Sequence, residues 1–255
     1  MTPVSPTLHL PLDHVVLLVP DLEQAADLFS AIGFTVTPRT DHSLPMGTAN
    51  RCVMLGSTYI EFLSVVHATE RSASWRELLA LGGGLRGLAL RTGNADKACQ
   101  ALAASGLDAC DVLQFSRQDD DGRDLRFRIC RLPAAVTPGV RLIVCEHQTP
   151  ELLWRHEWTS HPNGAAEIRD VTFAAPSPSD TATILALAGA ALRSIELTGP
   201  ETDVRVASAG PARLTIAVAN LERVPAFPNM RRNGSETEID CRPGLDLILR
   251  LKAAS

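Results

Sequence analysis

A β-strand followed by a capped helix recurs along this chain, and that repeat restricts the fold more than any other feature of the sequence. Residues 12–19 form a short apolar run that ends at Pro20, which predicts a strand. Asp21 suits the N-cap of a helix with apolar residues at helical spacing, and Gly33 suits its C-terminal end. Because a repeated unit determines which elements share a core, we expect a fold built from copies of this one.

The same unit returns 73 residues further along the chain without a gap. Residues 85–92 align with the first strand, Asn94 aligns with Asp21, and Gly106 aligns with Gly33. Asn94 is again a residue type that caps helices well. Two copies of the opening strand and helix are therefore predicted in the first half of the chain.

A third and weaker copy begins near residue 168, where Pro176 and Gly189 take the positions of Pro20 and Gly33. Strands follow each predicted helix, and Gly56-Ser57 and Pro138-Gly139 mark turns between neighbouring strands. These strands are predicted over residues 34–37, 51–55, 58–65, 125–132, 140–147, 204–207, 213–219 and 245–251. Each copy is therefore a β-α-β-β-β unit.

This pattern predicts an α+β fold in which repeated βαβββ modules form curved mixed sheets with helices on the outer face. The first module is expected over residues 10–70, the second over 82–150 and a partial third over 167–253, with a linker over 151–166. Two modules side by side leave a concave face of the size of a small ligand. The third module then either covers the outer sheet face or pairs with its counterpart in a homodimer.

Composition excludes several classes of partner. The chain has 255 residues and is 45% hydrophobic, which is enough to bury a sizeable core. A net charge of −5 argues against nucleic acid and against anionic membranes. The sequence contains neither a signal peptide pattern nor an apolar run of membrane-spanning length, and its six cysteines form no C-x-x-C pair. We therefore expect a cytoplasmic protein whose ligand is a small molecule.

Two stretches resemble the vicinal oxygen chelate superfamily, which includes glyoxalases, extradiol dioxygenases and bleomycin-resistance proteins. The stretches are residues 12–25, which read LDHVVLLVPDLEQA, and residues 59–63, which read YIEFL. Three further stretches resemble a narrower branch of this superfamily, the glyoxalase-like domains. They are His42-x4-Gly47-Thr48-x-Asn50, residues 149–154 and residues 161–165. The resemblance covers roughly residues 10–165 and implies paired modules around one ligand site.

The resemblance implies a divalent metal ion, which would be Zn, Ni, Fe, Mn or Co. His14, in the first strand, is similar to the family's first ligand, and Glu61 is similar to its ligand glutamate. Gly87 stands at the position equivalent to His14 and cannot be a ligand. Glu146 is the better match to Glu61 in the second module, and His147 is the alternative, since strand alternation turns only one of them inward.

The loop residues that match the narrower branch are candidates for catalysis and substrate binding. Either His42 or the carboxylate of Glu61 is expected to move a proton. The candidates for substrate binding are Gly47, Thr48, Asn50, His161 and Asn163. Each group has an alternative structural interpretation, because Gly, Asn and Pro are also the residues that build turns.

Two functions follow from these residues. The first is a metal-dependent lyase or isomerase of glyoxalase type, which stabilises an enediolate formed from a small carbonyl or hydroxy compound. The alternative is a metal-free protein of the bleomycin-resistance type that binds and sequesters a small molecule. Gly87 favours the alternative, because an incomplete ligand set is typical of a binding protein.

Overall fold

The fold is that of a computed structural model, which describes residues 8–104, 106–107, 111–174, 195–197, 202–207 and 210–254. Module one comprises β2 (Leu12–Leu18), α1 (Leu22–Ala31), β3 (Thr40–Asp41), β4 (Thr48–Leu55) and β5 (Thr58–Val65), preceded by β1 (Leu8–Leu10). Module two comprises β6 (Gly84–Arg91), α3 (Ala95–Ala104), β7 (Leu113–Gln118), β8 (Asp124–Arg131) and β9 (Arg141–His147), and α2 (Ala73–Ala80) connects the two modules.

The linker contains two short helices, and the third module is mostly β-structure. The linker helices are α4 (Pro150–Leu153) and α5 (His156–Thr159). The strands that follow are β10 (Ala165–Ala174), β11 (Ile195–Leu197), β12 (Asp203–Ala207), β13 (Ala212–Val218), β14 (Met230–Asn233), β15 (Glu236–Asp240) and β16 (Leu247–Ala253). A single 3-10 turn, Leu221–Arg223, lies between β13 and β14.

Modules one and two share one eight-stranded mixed sheet in the order β3-β4-β5-β2-β6-β9-β8-β7. β2 and β6 pair antiparallel at its centre, so the two modules are related by an approximate twofold axis. β5 runs parallel to β2, and β9 runs parallel to β6. The α+β fold class and the repeated βαβββ order are therefore confirmed.

The first predicted helix begins and ends where the sequence indicates. The carboxylate of Asp21 accepts hydrogen bonds from the backbone N–H groups of Glu23 and Gln24, at 2.9 and 3.1 Å. Gly33 has a φ of +90°, the left-handed conformation that ends a helix and that glycine adopts without strain. The apolar face of α1 is buried against the sheet through Leu22, Ala25, Ala26 and Phe29.

Other elements differ from the sequence prediction. Residues 34–37 were predicted as a strand, but they form none, and β3 is only two residues long. The prediction also missed α2, β7 and the β14–β15 hairpin, all of which are short. The third predicted helix, near Gly189, lies outside the described residues.

The third module contributes a six-stranded sheet in the order β12-β10-β13-β16-β15-β14. Its apolar residues join the helix-side residues of modules one and two in a single core, in which Val171, Phe173 and Leu214 accompany Phe29 and Phe62. The third module therefore packs on the outer side of the large sheet and leaves its concave face open. Among the described residues, no helix is both long and apolar enough to cross a membrane.

Candidate active site

A cavity opens on the concave face of the eight-stranded sheet, between modules one and two. It encloses about 630 Å³ of space, including its open mouth. Five residues singled out from the sequence line it together: His14, His42, Thr48, Asn50 and Glu61. Strand alternation explains the grouping, because every second residue of β2, β4 and β5 faces this side while the intervening residues face the core.

A β-bulge in β2 turns two neighbouring polar side chains toward this face. Leu12 pairs with Leu90 and His14 pairs with Ala89, so Asp13 is an extra residue in the ladder. An extra residue disturbs the alternation of a strand, and bulges often direct side chains into sites for this reason. Asp13 can thereby contact the ring of His14 although the two residues are adjacent in the chain.

Asp13 is fully buried and accepts hydrogen bonds from three side chains. His14 Nδ1 donates to Oδ2 at 2.7 Å, His147 Nε2 donates to Oδ2 at 2.8 Å, and Arg91 Nε donates to Oδ1 at 2.6 Å. Burial alone would raise the pKa of Asp13, but the hydrogen bonds and charges of the two histidines outweigh it and hold that pKa well below its usual range. Asp13 is therefore an anion, and each imidazole nitrogen that contacts it carries a proton.

That arrangement leaves the other nitrogen of His14 available as a ligand or base. His14 Nε2 lies 3.6 Å from Glu61 Oε2, and Asn50 Nδ2 donates to Glu61 Oε1 at 2.6 Å. The ring of Tyr59 stacks on His14 at 4.3 Å between centroids and restricts its rotation. Histidines that bind metals characteristically donate their second N–H to a carboxylate, as His14 does to Asp13.

The His14 and Glu61 donors suit one divalent ion. Zn–N and Zn–O bonds are each roughly 2.0–2.2 Å long. Two atoms 3.6 Å apart can therefore share an ion. One nitrogen and one carboxylate oxygen are also the donor types that Zn, Ni, Fe, Mn and Co accept. These residues therefore fit the metal that the family resemblance implies, although they form only half of a four-ligand set.

Module two supplies neither of the remaining ligands at the equivalent positions. Glu61 pairs with Val16 on β2, and by the twofold relation Ile143 pairs with Ala89 on β6. Ile143 is therefore the structural counterpart of Glu61, as Gly87 is the counterpart of His14. A Cβ atom at Gly87 would lie 2.7 Å from Val16 Cβ, so no side chain fits there.

The prediction that Glu146 is the third metal ligand is wrong. Its carboxylate accepts from the backbone N–H of Ala95 at 2.8 Å, at the N-terminus of α3 on the outer face. Arg128 Nη1 also lies 3.4 Å from it. His147, the alternative, faces the concave side and donates to Asp13. Helix N-terminal N–H groups attract carboxylates, and this contact turns Glu146 away from the cavity.

The predictions that His161 and Asn163 bind substrate are also wrong. His161 is 5% exposed, accepts at Nδ1 from the backbone N–H of Thr35 and donates from Nε2 to the carbonyl of Met54 at 2.7 Å. Asn163 is fully buried and donates to the carbonyl of Ile32 at 3.1 Å. Both residues fasten the linker to the outer side of module one.

Asn163→Ala should lower the free energy of unfolding by about 3 kcal/mol, because it leaves the buried Ile32 carbonyl and Ala165 N–H without their partner. Urea unfolding followed by circular dichroism measures this. Asn94→Ala, which removes an exposed N-cap contact to Lys97, is the control and should cost only about 1 kcal/mol. Neither substitution should change ligand affinity, and a selective loss of affinity in Asn163→Ala would restore the sequence prediction.

Gly47 lies beside the cavity and has a packing role. It has a φ of +67°, and its carbonyl accepts from the N–H groups of Val66 and His67. A Cβ atom there would lie 2.4 Å from the His67 carbonyl oxygen. Gly47 therefore allows the chain to turn between His42 and Thr48, and it is those two side chains that reach the cavity.

His42 is held by Thr48, whose Oγ1 lies 2.7 Å from His42 Nδ1. Burial lowers the pKa of His42 to about 4, against the opposing effect of the negative charge of Glu61. The imidazole is therefore uncharged at neutral pH and has a nitrogen that can accept a proton. His42 and Glu61 line the same cavity, so two groups able to move a proton face one ligand.

A second group of metal-binding residue types lies next to His14. One donor atom each from Asp13, Cys145 and His147 lie within 4.8 Å of one another. Both oxygens of Asp13 already accept hydrogen bonds, however, and burial raises the pKa of the Cys145 thiol well above its usual value. An ion here would have to displace those bonds, so the His14 and Glu61 pair is the better site.

Several cavity residues were missed by the sequence analysis. Module two contributes Phe115, Arg117, Phe127, Ile129 and Arg131, and α2 contributes Trp75. The alternating apolar residues of β8 indicated that one face is buried, but not which ligand site it faces. Asp13 could have been noticed as a charged residue inside an apolar strand.

Several solved structures are similar to this chain. A structure described as a hypothetical protein from Staphylococcus aureus is similar with a TM-score of 0.64 and 13% identity, over 96% of this chain and 100% of that one. Methylmalonyl-CoA epimerase from Mycobacterium tuberculosis gives a TM-score of 0.44 and 22% identity, over 61% of this chain and 97% of that one. Methylmalonyl-CoA epimerase from Streptomyces coelicolor in complex with 2-nitronate-propionyl-CoA gives a TM-score of 0.44 and 21% identity, over 55% of this chain and 99% of that one.

The likeness to the Staphylococcus aureus structure concerns the fold alone, since so few residues are identical. No curated protein matches this chain. A family model described as a glyoxalase-like domain matches residues 12–189, which is more than half of the chain and spans modules one and two. The chain therefore belongs to the glyoxalase-like domain family of the vicinal oxygen chelate superfamily.

Proposed function

We propose that this protein is a divalent-metal-dependent enzyme of the lyase or isomerase type that moves a proton next to the carbonyl of a small carbonyl or hydroxy compound. The observation that carries this proposal is the line of contacts Asp13–His14–Glu61, in which Nε2 of His14 is 3.6 Å from Glu61 Oε2 at the cavity wall. A buried carboxylate that orients a histidine toward a second carboxylate is costly to build, and such arrangements are typical of functional sites.

His14 and Glu61 would hold the ion, and it would supply stabilisation of the negative charge that develops on a substrate oxygen. Asp13 keeps the proton on His14 Nδ1, and Asn50 holds one oxygen of Glu61 in place. Either the carboxylate of Glu61 or His42, which is uncharged at neutral pH, would accept the proton from the substrate carbon. The aromatic and aliphatic side chains of module two would exclude water from the bound compound.

The proposal is tested by metal content and by proton exchange. Elemental analysis of the purified protein should give about one equivalent of a divalent metal, which a double variant with His14→Ala and Glu61→Ala should lack. Exchange of the carbon-bound protons of hydroxyacetone in deuterated water, followed by proton NMR, should be at least roughly 100-fold slower in Glu61→Gln and in His42→Ala.

Glu146→Gln is the matched control, because it changes a carboxylate of the same sheet that lies on the other face. It should keep both the metal and the exchange rate of the unaltered protein. An unaltered protein that exchanges hydroxyacetone no faster than buffer with Zn, Ni, Fe, Mn or Co added would overturn the proposal.

The alternative function is metal-free binding and sequestration of a small molecule. Gly87 and Ile143 favour it, because they replace the two ligand positions of module two with residues that cannot bind metal. In that case ligand affinity should survive His14→Ala nearly unchanged, and no variant should alter proton exchange. Measurements on the same set of variants therefore distinguish the two functions.

A further inference from the structure

Module two and the connecting helix α2 give the cavity an apolar wall opposite the polar residues of module one. The polar side chains that could move a proton or hold a metal, His14, His42 and Glu61, all belong to module one. The aromatic and branched side chains of the other wall are those of Trp75, Phe115, Phe127, Ile129 and Ile143. A cavity with two such walls suits a ligand that has one polar end and one apolar end.

Gly87 makes room for the ring of Trp75 within this wall. A Cβ atom at Gly87 would lie 3.3 Å from Cη2 of Trp75, which is closer than an ordinary van der Waals contact. Val16 pairs with Glu61 on one side and with Gly87 on the other, so these three residues are neighbours across adjacent strands. The indole therefore packs against a position two strands from Glu61, which is roughly 10 Å at the usual strand spacing.

Ile143 has the same relation to His14 that Gly87 has to Glu61. His14 pairs with Ala89, and Ala89 pairs with Ile143, so the isoleucine lies two strands from the histidine. Phe115, on the edge strand β7, approaches the polar residues from another side, with its ring centre 6.2 Å from that of His42. Apolar side chains are therefore within the length of one small molecule from the polar residues.

Two arginines also line the cavity, but apolar residues lie between one of them and His14. Arg131 pairs with Ile143 on the side away from Ala89 and is thus one strand further from His14 than Ile143 is. Arg117 also lines a neighbouring cleft. The positions between His14 and Arg131 are apolar, and an apolar group of the ligand would lie against them.

We infer that the substrate is a hydroxy ketone that carries an aromatic or branched apolar substituent, and that Trp75 and Ile143 bind this substituent. The inference rests on the proposed function where it assigns the oxygen atoms of the ketone to His14 and Glu61. An aromatic substituent packs well on an indole, and its burial stabilises the complex in proportion to the apolar area removed from water. Gly87, which cannot bind a metal, thereby contributes to specificity through Trp75.

Two ketones that differ only in the substituent test this inference. Hydroxyacetone carries a methyl group, and 2-hydroxy-1-phenylethanone carries a phenyl group, on a carbonyl next to the same hydroxymethyl group. Proton NMR titration with the purified protein should show that the phenyl ketone binds at least roughly tenfold more tightly than hydroxyacetone. This ratio of affinities is measured at equilibrium and does not require turnover.

Trp75→Ala should reduce the ratio at least roughly fivefold, because it removes the ring on which the phenyl group packs. Ile143→Thr keeps the branched shape with less apolar area and should reduce the ratio roughly twofold or more. It also tests the inference should Trp75→Ala fail to fold. Trp158→Ala is the matched control, since Trp158 lies on α5 and lines a different cleft beside Arg155, and it should keep the ratio.

Equal affinity for the two ketones, undetectable binding of the phenyl ketone at millimolar concentration, or the same fall of the ratio in Trp158→Ala would overturn the inference. Its failure and that of the proposed function are distinguishable. A preference for the phenyl ketone without exchange of hydroxyacetone protons would contradict only the proposed function. Exchange of hydroxyacetone protons without that preference would contradict only the apolar substituent.

Discussion

Asp13→Asn is expected to lower the free energy of unfolding by about 3 kcal/mol and to weaken metal binding at His14 roughly 10- to 100-fold. The variant keeps the size of the side chain but removes the charge that accepts from Arg91, His14 and His147. Breaking a buried ion pair at one partner is costly because the other charges stay in place. Arg91 is about one third exposed, with 31% of its side chain accessible, so solvent relieves part of this cost.

The contribution of Asp13 to the free energy of unfolding should decrease as the pH falls. The folded protein holds the pKa of Asp13 below its ordinary value of 3.8, so the unfolded chain takes up a proton there first as the pH falls. The stability from the ionised carboxylate is therefore fully present above about pH 5 and is lost progressively at lower pH. Urea unfolding of the unaltered protein and of Asp13→Asn should show a difference in the free energy of unfolding that becomes smaller below about pH 4.

A second measurement separates positioning of His14 from a general loss of stability. In the unaltered protein, nitrogen NMR of the His14 ring should show the proton on Nδ1, because that atom donates to Asp13. Asp13→Asn should give a mixture of the two neutral tautomers under conditions where the variant is folded. Asp27→Asn, an exposed change on α1, is the control and should alter neither stability nor tautomer. An unchanged His14 tautomer in Asp13→Asn would show that Asp13 does not set it.

Phe62→Ala should have the largest effect on stability, about 3–5 kcal/mol, which is a large share of the total for a typical domain. Phe62 is fully buried and meets Phe29 of α1 edge to face at 4.8 Å between ring centres. Its truncation leaves a cavity between helix and sheet that close-packed neighbours cannot fill. Thermal and urea unfolding followed by circular dichroism measure the loss.

Phe62 and Glu61 are adjacent but lie on opposite faces of β5, so their variants should behave differently. Glu61→Gln should unfold at nearly the same urea concentration as the unaltered protein, although its proton exchange is slowed. Leu44→Ala, at a side chain that is 75% exposed, is the control for truncation and should stay within about 0.5 kcal/mol. A Phe62→Ala protein as stable as the control would contradict the assignment of the faces of β5.

The sequence by itself determined the elements that depend on neighbouring residues. The capping of α1 by Asp21 and its end at Gly33 follow from the chemistry of single residues, and the structure confirms both. Alternation in β5 places Tyr59, Glu61 and Leu63 on one face, and these three do line the cavity. The repeat at 73 residues correctly aligned His14 with Gly87. In the β2–β6 pair, His14 lies opposite Ala89 and Gly87 lies opposite Val16, as the twofold relation between the modules requires.

Only the tertiary structure decided which residues complete the site. The bulge at Asp13 arises from pairing with β6, more than seventy residues away, and no local pattern in β2 indicates it. Alternation allowed either Glu146 or His147 to face inward, and the contact of Glu146 with the N-terminus of α3 decided it. That Arg117 of β7 and Arg131 of β8 line the cavity was likewise decided only by the folding of module two against module one. Periodicity and capping act over a few residues. Strand register, and the side of the sheet that a given residue faces, depend on contacts between distant segments.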